Sequence, residues 1–187
     1  PMSLNLVKAG FNVSVYNRSV DKMKDVTEKG AKGITDMHDL CKNCDIIFVM
    51  VSDDNAVKSI FSELLQNNVE GKLFINMSTV APDTSKYIAE QCKQKKASFL
   101  EAPVSGSVKP ATEWTLVILA AGDKKDYEKA SSLFEKLGKL SLYLGETGKG
   151  AIAKLAINYY LAITIQGIAE TNLFAQANGL SRETMML

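Results

Sequence analysis

Ile46-Ile47-Phe48-Val49-Met50-Val51 runs directly into Ser52-Asp53-Asp54, and apolar residues then return at Val57, Ile60, Phe61 and Leu64. A continuous apolar run suits a strand covered on both faces. The spacing that follows it is that of a helix, here Asn55 to Leu65. The same unit recurs in both directions. Upstream, Asn12-Val13-Ser14-Val15-Tyr16 alternates polar and apolar as a strand does. Ser19 is placed to cap a helix over Val20–Lys29 closed by Gly30, and Asp36 to Cys41 reads as a short helix. Downstream, Leu73–Met77 is a strand, and Pro82 opens a helix to about Lys95. Ser98–Ala102 and Leu116–Ala120 are strands, Tyr127–Leu137 a helix closed by Gly138, and Leu140–Leu144 a last strand. Strand and helix alternating this often predict parallel crossovers: an α/β, doubly wound, mostly parallel sheet.

The texture changes near Gly150. Ala151 to Asn178 is apolar on more than one side and reads as one helix, roughly 40 Å long at 1.5 Å per residue. Asn178-Gly179 ends it, and Ser181 is placed to cap another helix with Glu183 in its first turn. At the other end, Met2, Leu6 and Ala9 share a helical face closed by Gly10, with no strand before them. The expectation is a sheet domain over 1–150 without its opening strand, then 151–187 as a long helix and the start of a helical domain, both ends being cut.

Composition removes several function classes. The 187 residues are 46% apolar and 23% charged, with a formal charge of +1. That balance is globular and offers no electrostatic case for nucleic acid or an anionic membrane. No apolar run approaches, on this reading, the roughly 20 residues that span a bilayer, and no leader resembles a signal peptide. Three cysteines do not make a disulfide framework, and Cys41-Lys42-Asn43-Cys44 falls at the end of a helix, not its start. These are thiols suited to a reducing cytosol, so a cytoplasmic location is expected. His38 is the only histidine. That disfavours a zinc site and removes Ser-His-Asp and Cys-His catalysis within this chain; no metal is expected.

Ligands of doubly wound sheets sit beyond the C-terminal ends of the strands. Asn17-Arg18-Ser19 follows the first strand, where an acidic residue accepts the 2′-hydroxyl of NAD and an arginine the 2′-phosphate of NADP. Lys22 lies one turn on; the alternative is a solvated polar turn. Val51-Ser52-Asp53-Asp54 is a ligand-lining segment or a turn with a helix cap. Ser78-Thr79 offers hydroxyls to a ligand or to a helix. Ser105-Gly106-Ser107 lets backbone N–H groups approach an anion, or is a plain surface turn. Lys154 and Asn158, four apart, project from one helical face among Ile152, Leu155, Ala156 and Ile157. Lys154 either snorkels or sits in a site, where desolvation lowers its pKa toward the range of general acid–base work.

Taken together and in order, Asn17-Arg18-Ser19, Met77-Ser78-Thr79-Val80 with Pro82, Ala102-Pro103-Val104-Ser105-Gly106 and Gly150-x-x-x-Lys154-x-x-x-Asn158 resemble the β-hydroxyacid dehydrogenase family. This family is related to 3-hydroxyisobutyrate dehydrogenase. Ser105-Gly106-Ser107, Lys109-Pro110-Ala111 and Leu119-Ala120-Ala121-Gly122-Asp123 look closest to its glyoxylate/succinic semialdehyde reductase branch. The resemblance implies a Rossmann-type NAD(P)-binding domain, a long interdomain helix and an all-helical domain that forms homo-oligomers. The family's G-x-G-x-x-G would end just before Pro1. Trp114 stands where relatives usually carry Gly.

By carry-over, Lys154 is the proton donor and acceptor at the substrate oxygen, and Asn158 orients it or the substrate. Ser105, Gly106 and Ser107 bind the carboxylate of a small substrate, and Thr79 lies between nicotinamide and substrate. Val51 and Ser52 line the cofactor. Arg18, Asn17, Ser19 and Lys22 select the 2′-phosphate, so NADP(H) is preferred and NAD(H) possible. The resemblance thus implies hydride transfer between nicotinamide and a small carboxylated aldehyde or hydroxyacid of the glyoxylate, succinic semialdehyde or 3-hydroxyisobutyrate type. The alternatives are a non-catalytic dinucleotide-binding or scaffold module, and an imine reductase.

Overall fold

The structure, a computed structural model, describes residues 1–185. The last two residues of the expected 151–187 segment lie outside the described residues. The chain divides into two compact units, one from Pro1 to Lys154 and one from Leu155 onward.

In the first unit, α1 (Met2–Lys8) precedes β1 (Ser14–Tyr16), which pairs in parallel with β2 (Lys32–Ile34). After α3 (Met37–Asn43), capped by Asp36, comes β3 (Ile46–Val49), which pairs in parallel with β4 (Leu73–Asn76) across α4 (Asp54–Leu64). β4 pairs in parallel with β5 (Ser98–Glu101) across α5 (Pro82–Gln94). The larger sheet continues through β7 (Leu116–Gly122) to β6 (Val104–Ser105), and β8 (Gly138–Tyr143) pairs in parallel with β7 across α7 (Lys124–Phe134). Among the described residues β1 and β3 do not pair with each other, so the strands form a two-stranded and a six-stranded sheet.

Alternation along β4 shows why the apolar runs are continuous. Leu73 and Ile75 join one buried cluster with Leu100, Leu116, Ile118 and Phe134; Phe74 joins another with Val57, Phe61, Ile88 and Phe99. Phe61 meets Phe74 and Phe99 edge-on, with centroids 5.4 and 5.8 Å apart. Each such side chain stabilises the fold by about 1.5–3 kcal/mol on burial. With helices on both faces, both faces of the strand are apolar from Leu73 to Ile75.

Several expectations are corrected. β7 runs antiparallel to both β5 and β6. Residues 106–115 between β6 and β7 are fewer than the dozen or so that a parallel crossover needs, and α6 (Val108–Thr112) is a short turn within them. The expected helix over 20–29 is a 3-10 turn, Val20–Met23, followed by α2 (Lys24–Thr27). Ser19 does not cap it with its side chain; instead Asn17 Oδ1 accepts the Ser19 N–H at 2.9 Å. Gly138 does not close a helix. It opens β8, lying so near the Leu116 carbonyl that a side chain has no room. β2, β6 and α6 are too short for a periodicity to reveal.

α8 (Lys149–Ala177) is the expected long helix, and α9 (Arg182–Met185) follows with Ser181 Oγ accepting the Thr184 N–H at 3.2 Å. By length and composition alone, α8 is long and apolar enough to cross a bilayer, which corrects the expectation that no such run exists. No charge falls between Lys154 and Glu170, and Asn158, Thr164 and Gln166 interrupt the run without making it strongly polar. Tyr159, Tyr160, Leu161, Ile163, Ile165 and Phe174 are all exposed.

Candidate active site

Asn17-Arg18-Ser19, Val51-Ser52 and Ser78-Thr79 lie just beyond the ends of β1, β3 and β4, whereas Ser105 is the last residue of β6 and Lys154 and Asn158 lie on α8. Beyond β1, the Asn17 side chain folds the turn onto the Ser19 N–H and leaves Arg18, Ser19 and Lys22 exposed. Among the described residues neither Arg18 nor Lys22 makes a salt bridge. The turn presents two exposed cations, with Asp21 beside Lys22 in the chain.

The ends of β3 and β4 are joined. Val51 donates its N–H to Ser78 Oγ at 2.9 Å, and Ser78 in turn donates its own N–H to Asn76 Oδ1 at 3.1 Å. Ser78 is buried and Thr79 beside it is half-buried. Ser52 Oγ donates to Asp53 Oδ2 at 2.6 Å, while Asp53 Oδ1 caps α4 by accepting the Ala56 N–H. Asp54 Oδ1 accepts the Ala81 N–H at 3.0 Å, tying α4 to the start of α5. The Ser52 hydroxyl and the Ala56 N–H hold the Asp53 carboxyl below its ordinary pKa; the Thr84 hydroxyl does most to lower that of Asp54. Asp53 and Asp54 thus act as cap and tie. Val51 and Ser52 lie on the segment they brace.

At the end of β6, Ser105 is half-buried, while Gly106 and Ser107 are exposed. Gly106 has φ +131°, and a Cβ there would lie 2.8 Å from Leu116 Cδ2 and 2.9 Å from Pro110 Cβ. Only glycine fits both the backbone and the space. Ser107 begins α6 without a side-chain capping bond. Asn5, buried, donates to the Ala111 carbonyl at 2.7 Å and braces this loop from α1.

Lys154 lies in the first turns of α8, half-buried, and burial lowers its pKa from the ordinary lysine value. It makes no salt bridge among the described residues. Asn158, one turn on, is exposed and belongs to the second unit. No hydrogen bond links Ser105, Gly106 or Ser107 to Lys154 among the described residues.

Sequence reasoning missed Glu101. It is 1% exposed, and its Oε1 accepts the N–H groups of Gly148 at 2.6 Å and Gly150 at 2.8 Å. A carboxylate between Leu100 and Ala102 in a buried strand was the available signal, because such a group is tolerated only when hydrogen-bonded. The roles of Asn76 and Ser78 as braces needed the pairing of β3 with β4.

Residues 1–145 match the NAD binding domain of 6-phosphogluconate dehydrogenase. The chain is 40% identical to glyoxylate/succinic semialdehyde reductase 1 of Arabidopsis thaliana over 99% of its own length and 65% of that protein. It is 38% identical to the human cytokine-like nuclear factor N-PAC, over 97% of this chain and 34% of that one. Among solved structures, 3-hydroxyisobutyrate dehydrogenase of Mycobacterium tuberculosis, determined with L-serine, superposes with a TM-score of 0.93 at 26% identity. The alignment covers 99% of this chain and 64% of that one. The chain therefore spans just under two thirds of the reductase and dehydrogenase it matches.

Proposed function

The chain belongs to the family of the NAD binding domain of 6-phosphogluconate dehydrogenase, and from that premise we propose that the full-length protein is an NADP(H)-dependent reductase of small carboxylated aldehydes. The observation that carries this reading is Lys154: an amine with no salt-bridge partner among the described residues, its pKa lowered by burial, on an apolar helix anchored at the ends of the strands. An ammonium so placed is an acid matched to a developing alkoxide.

The residues present fit a dinucleotide. Arg18 and Lys22 carry exposed positive charge beyond β1, where a 2′-phosphate would be held. Asn17 and Ser19 shape that turn. Val51 and Ser52, braced by Ser78, would line the nicotinamide side, with Thr79 between it and the substrate. When bound, the reduced nicotinamide supplies the hydride.

Lys154 holds a proton for the substrate oxygen and stabilises the negative charge that forms there. In the reverse direction it accepts the hydroxyl proton. Ser105, Gly106 and Ser107 bind the substrate carboxylate through hydroxyl and backbone donors, and Asn158 orients Lys154 or the substrate. The exposed apolar breadth of α8 supports a homo-oligomer.

The test is a substrate panel on the full-length protein: glyoxylate, succinic semialdehyde, methylmalonate semialdehyde and tartronate semialdehyde, each with NADPH and with NADH. Oxidation of NADPH in preference to NADH with at least one aldehyde is the expected result. No turnover of any of the four with either nucleotide would overturn the reading.

A further inference from the structure

Glu101 is a buried carboxylate that forms no salt bridge among the described residues. Its stabilising partners are backbone N–H groups at the start of α8. These are among the donors that a helix leaves without an internal partner, and they carry the positive end of its dipole. The second oxygen, Oε2, is buried without a hydrogen bond among the described residues. So is Nδ2 of Asn76, the residue paired in register with Glu101 on the neighbouring strand.

The seat is tightest at Gly150. A Cβ at Gly150 would lie 2.5 Å from the Leu119 carbonyl oxygen and 3.2 Å from Glu101 Oε1. At Gly148 it would lie 3.1 Å from Lys86 Cε on α5. Gly150 lets the first turn of α8 descend onto the sheet and Gly148, at φ +100°, turns the chain into it, so that both amides reach one oxygen. Lys154 follows Gly150 by four residues, about one helical turn. The depth and rotation of that turn therefore set where its ammonium stands.

We propose that Glu101 is a positioning residue, which fixes the first turn of α8 through the Gly148 and Gly150 amides and so places the Lys154 ammonium against the reacting oxygen. The proposal rests on the reading of Lys154 as the proton donor. Glu101 touches neither substrate nor nucleotide on this account. Its contribution reaches the reaction only through Lys154.

A double-mutant cycle on the full-length protein tests this, with Glu101→Gln, Lys154→Ala and the two combined. Glutamine keeps the shape and one acceptor oxygen. It removes the charge that strengthens the bonds to the Gly148 and Gly150 amides. Glu101→Gln is expected to lower kcat about tenfold while leaving the KM for the nucleotide within about twofold. In the Lys154→Ala background the same change is expected to cost less than about twofold. An equal fold-loss in both backgrounds, or a loss carried by the nucleotide KM, would overturn the positioning role. If Glu101→Gln is not recovered folded, Glu101→Asp keeps the carboxylate but draws it back from the Gly148 and Gly150 amides and must show the same non-additivity; additivity there overturns the proposal equally. Full turnover by Lys154→Ala alone defeats the donor reading whatever Glu101 does. Loss of turnover in Lys154→Ala with an additive Glu101 effect defeats only the positioning role.

Discussion

The Val51 backbone N–H donates to Ser78 Oγ at 2.9 Å, across the ends of two adjacent parallel strands. With the Asp53 cap and the Asp54 tie, this bond holds the segment proposed to line the nicotinamide. Ser78→Ala leaves a partly buried N–H unpaired, which costs about 1–3 kcal/mol. The expected outcome is a lower urea midpoint together with a raised KM for the nucleotide. A destabilised protein with unchanged nucleotide KM would show that the brace serves the fold alone.

Trp114 adopts φ +60° and is 41% exposed. A left-handed backbone costs a non-glycine residue roughly 1–2 kcal/mol, while glycine carries a conformational-entropy penalty of about 0.5–1 kcal/mol. Trp114→Gly is therefore expected to stabilise the protein by about 0.5–1 kcal/mol, read from urea unfolding. Destabilisation would show that the indole contributes packing that exceeds the backbone strain.

Arg18 and Lys22 stand exposed beyond β1 with no carboxylate paired to them among the described residues. Arg18→Ala should raise the KM for NADPH by at least about tenfold, the loss of a charge-assisted phosphate contact, and move that for NADH little. Steady-state kinetics with both nucleotides provide the check. Equal effects on the two would remove Arg18 from phosphate selection.

Much of the sheet was legible because its strands are covered on both faces. Phe74 and Ile75 must both be apolar, so the run announces itself. Strand direction was not legible: nothing in Leu116–Ala120 shows that β7 runs antiparallel, which follows from the short loop through Gly106 and Trp114. The short elements β2 and α6 owe their form to tertiary contacts, not to a pattern of their own. Asn17, Arg18, Val51, Ser52, Ser78 and Thr79 could be found because they follow strands, and Lys154 because it is a charge in an apolar helix. Their braces could not, since Ser78 reaches Val51 and Glu101 reaches Gly148 only once the strands are paired. Glu101 was visible as an anomaly, a charge in an apolar strand, but its partners lie far along the chain.

Burial lowers the pKa of Lys154. Reduction requires its protonated form, so kcat/KM for the aldehyde should fall as pH rises through this lowered value, before the ordinary lysine range is reached. Stability moves in the opposite direction. Between the lowered and the ordinary pKa the native state binds fewer protons than the unfolded state, so stability rises with pH across that window. The penalty is fully present below the lowered value. A reductive rate that stays level through the ordinary lysine range would contradict the assignment.

The most direct test compares Lys154→Ala with the native full-length protein, measuring single-turnover aldehyde reduction and NADPH affinity side by side. The chemical step is expected to fall about a hundredfold or more, the scale of a lost general acid, with NADPH affinity nearly unchanged. A chemical step within about twofold of the native rate would show that the proton comes from elsewhere.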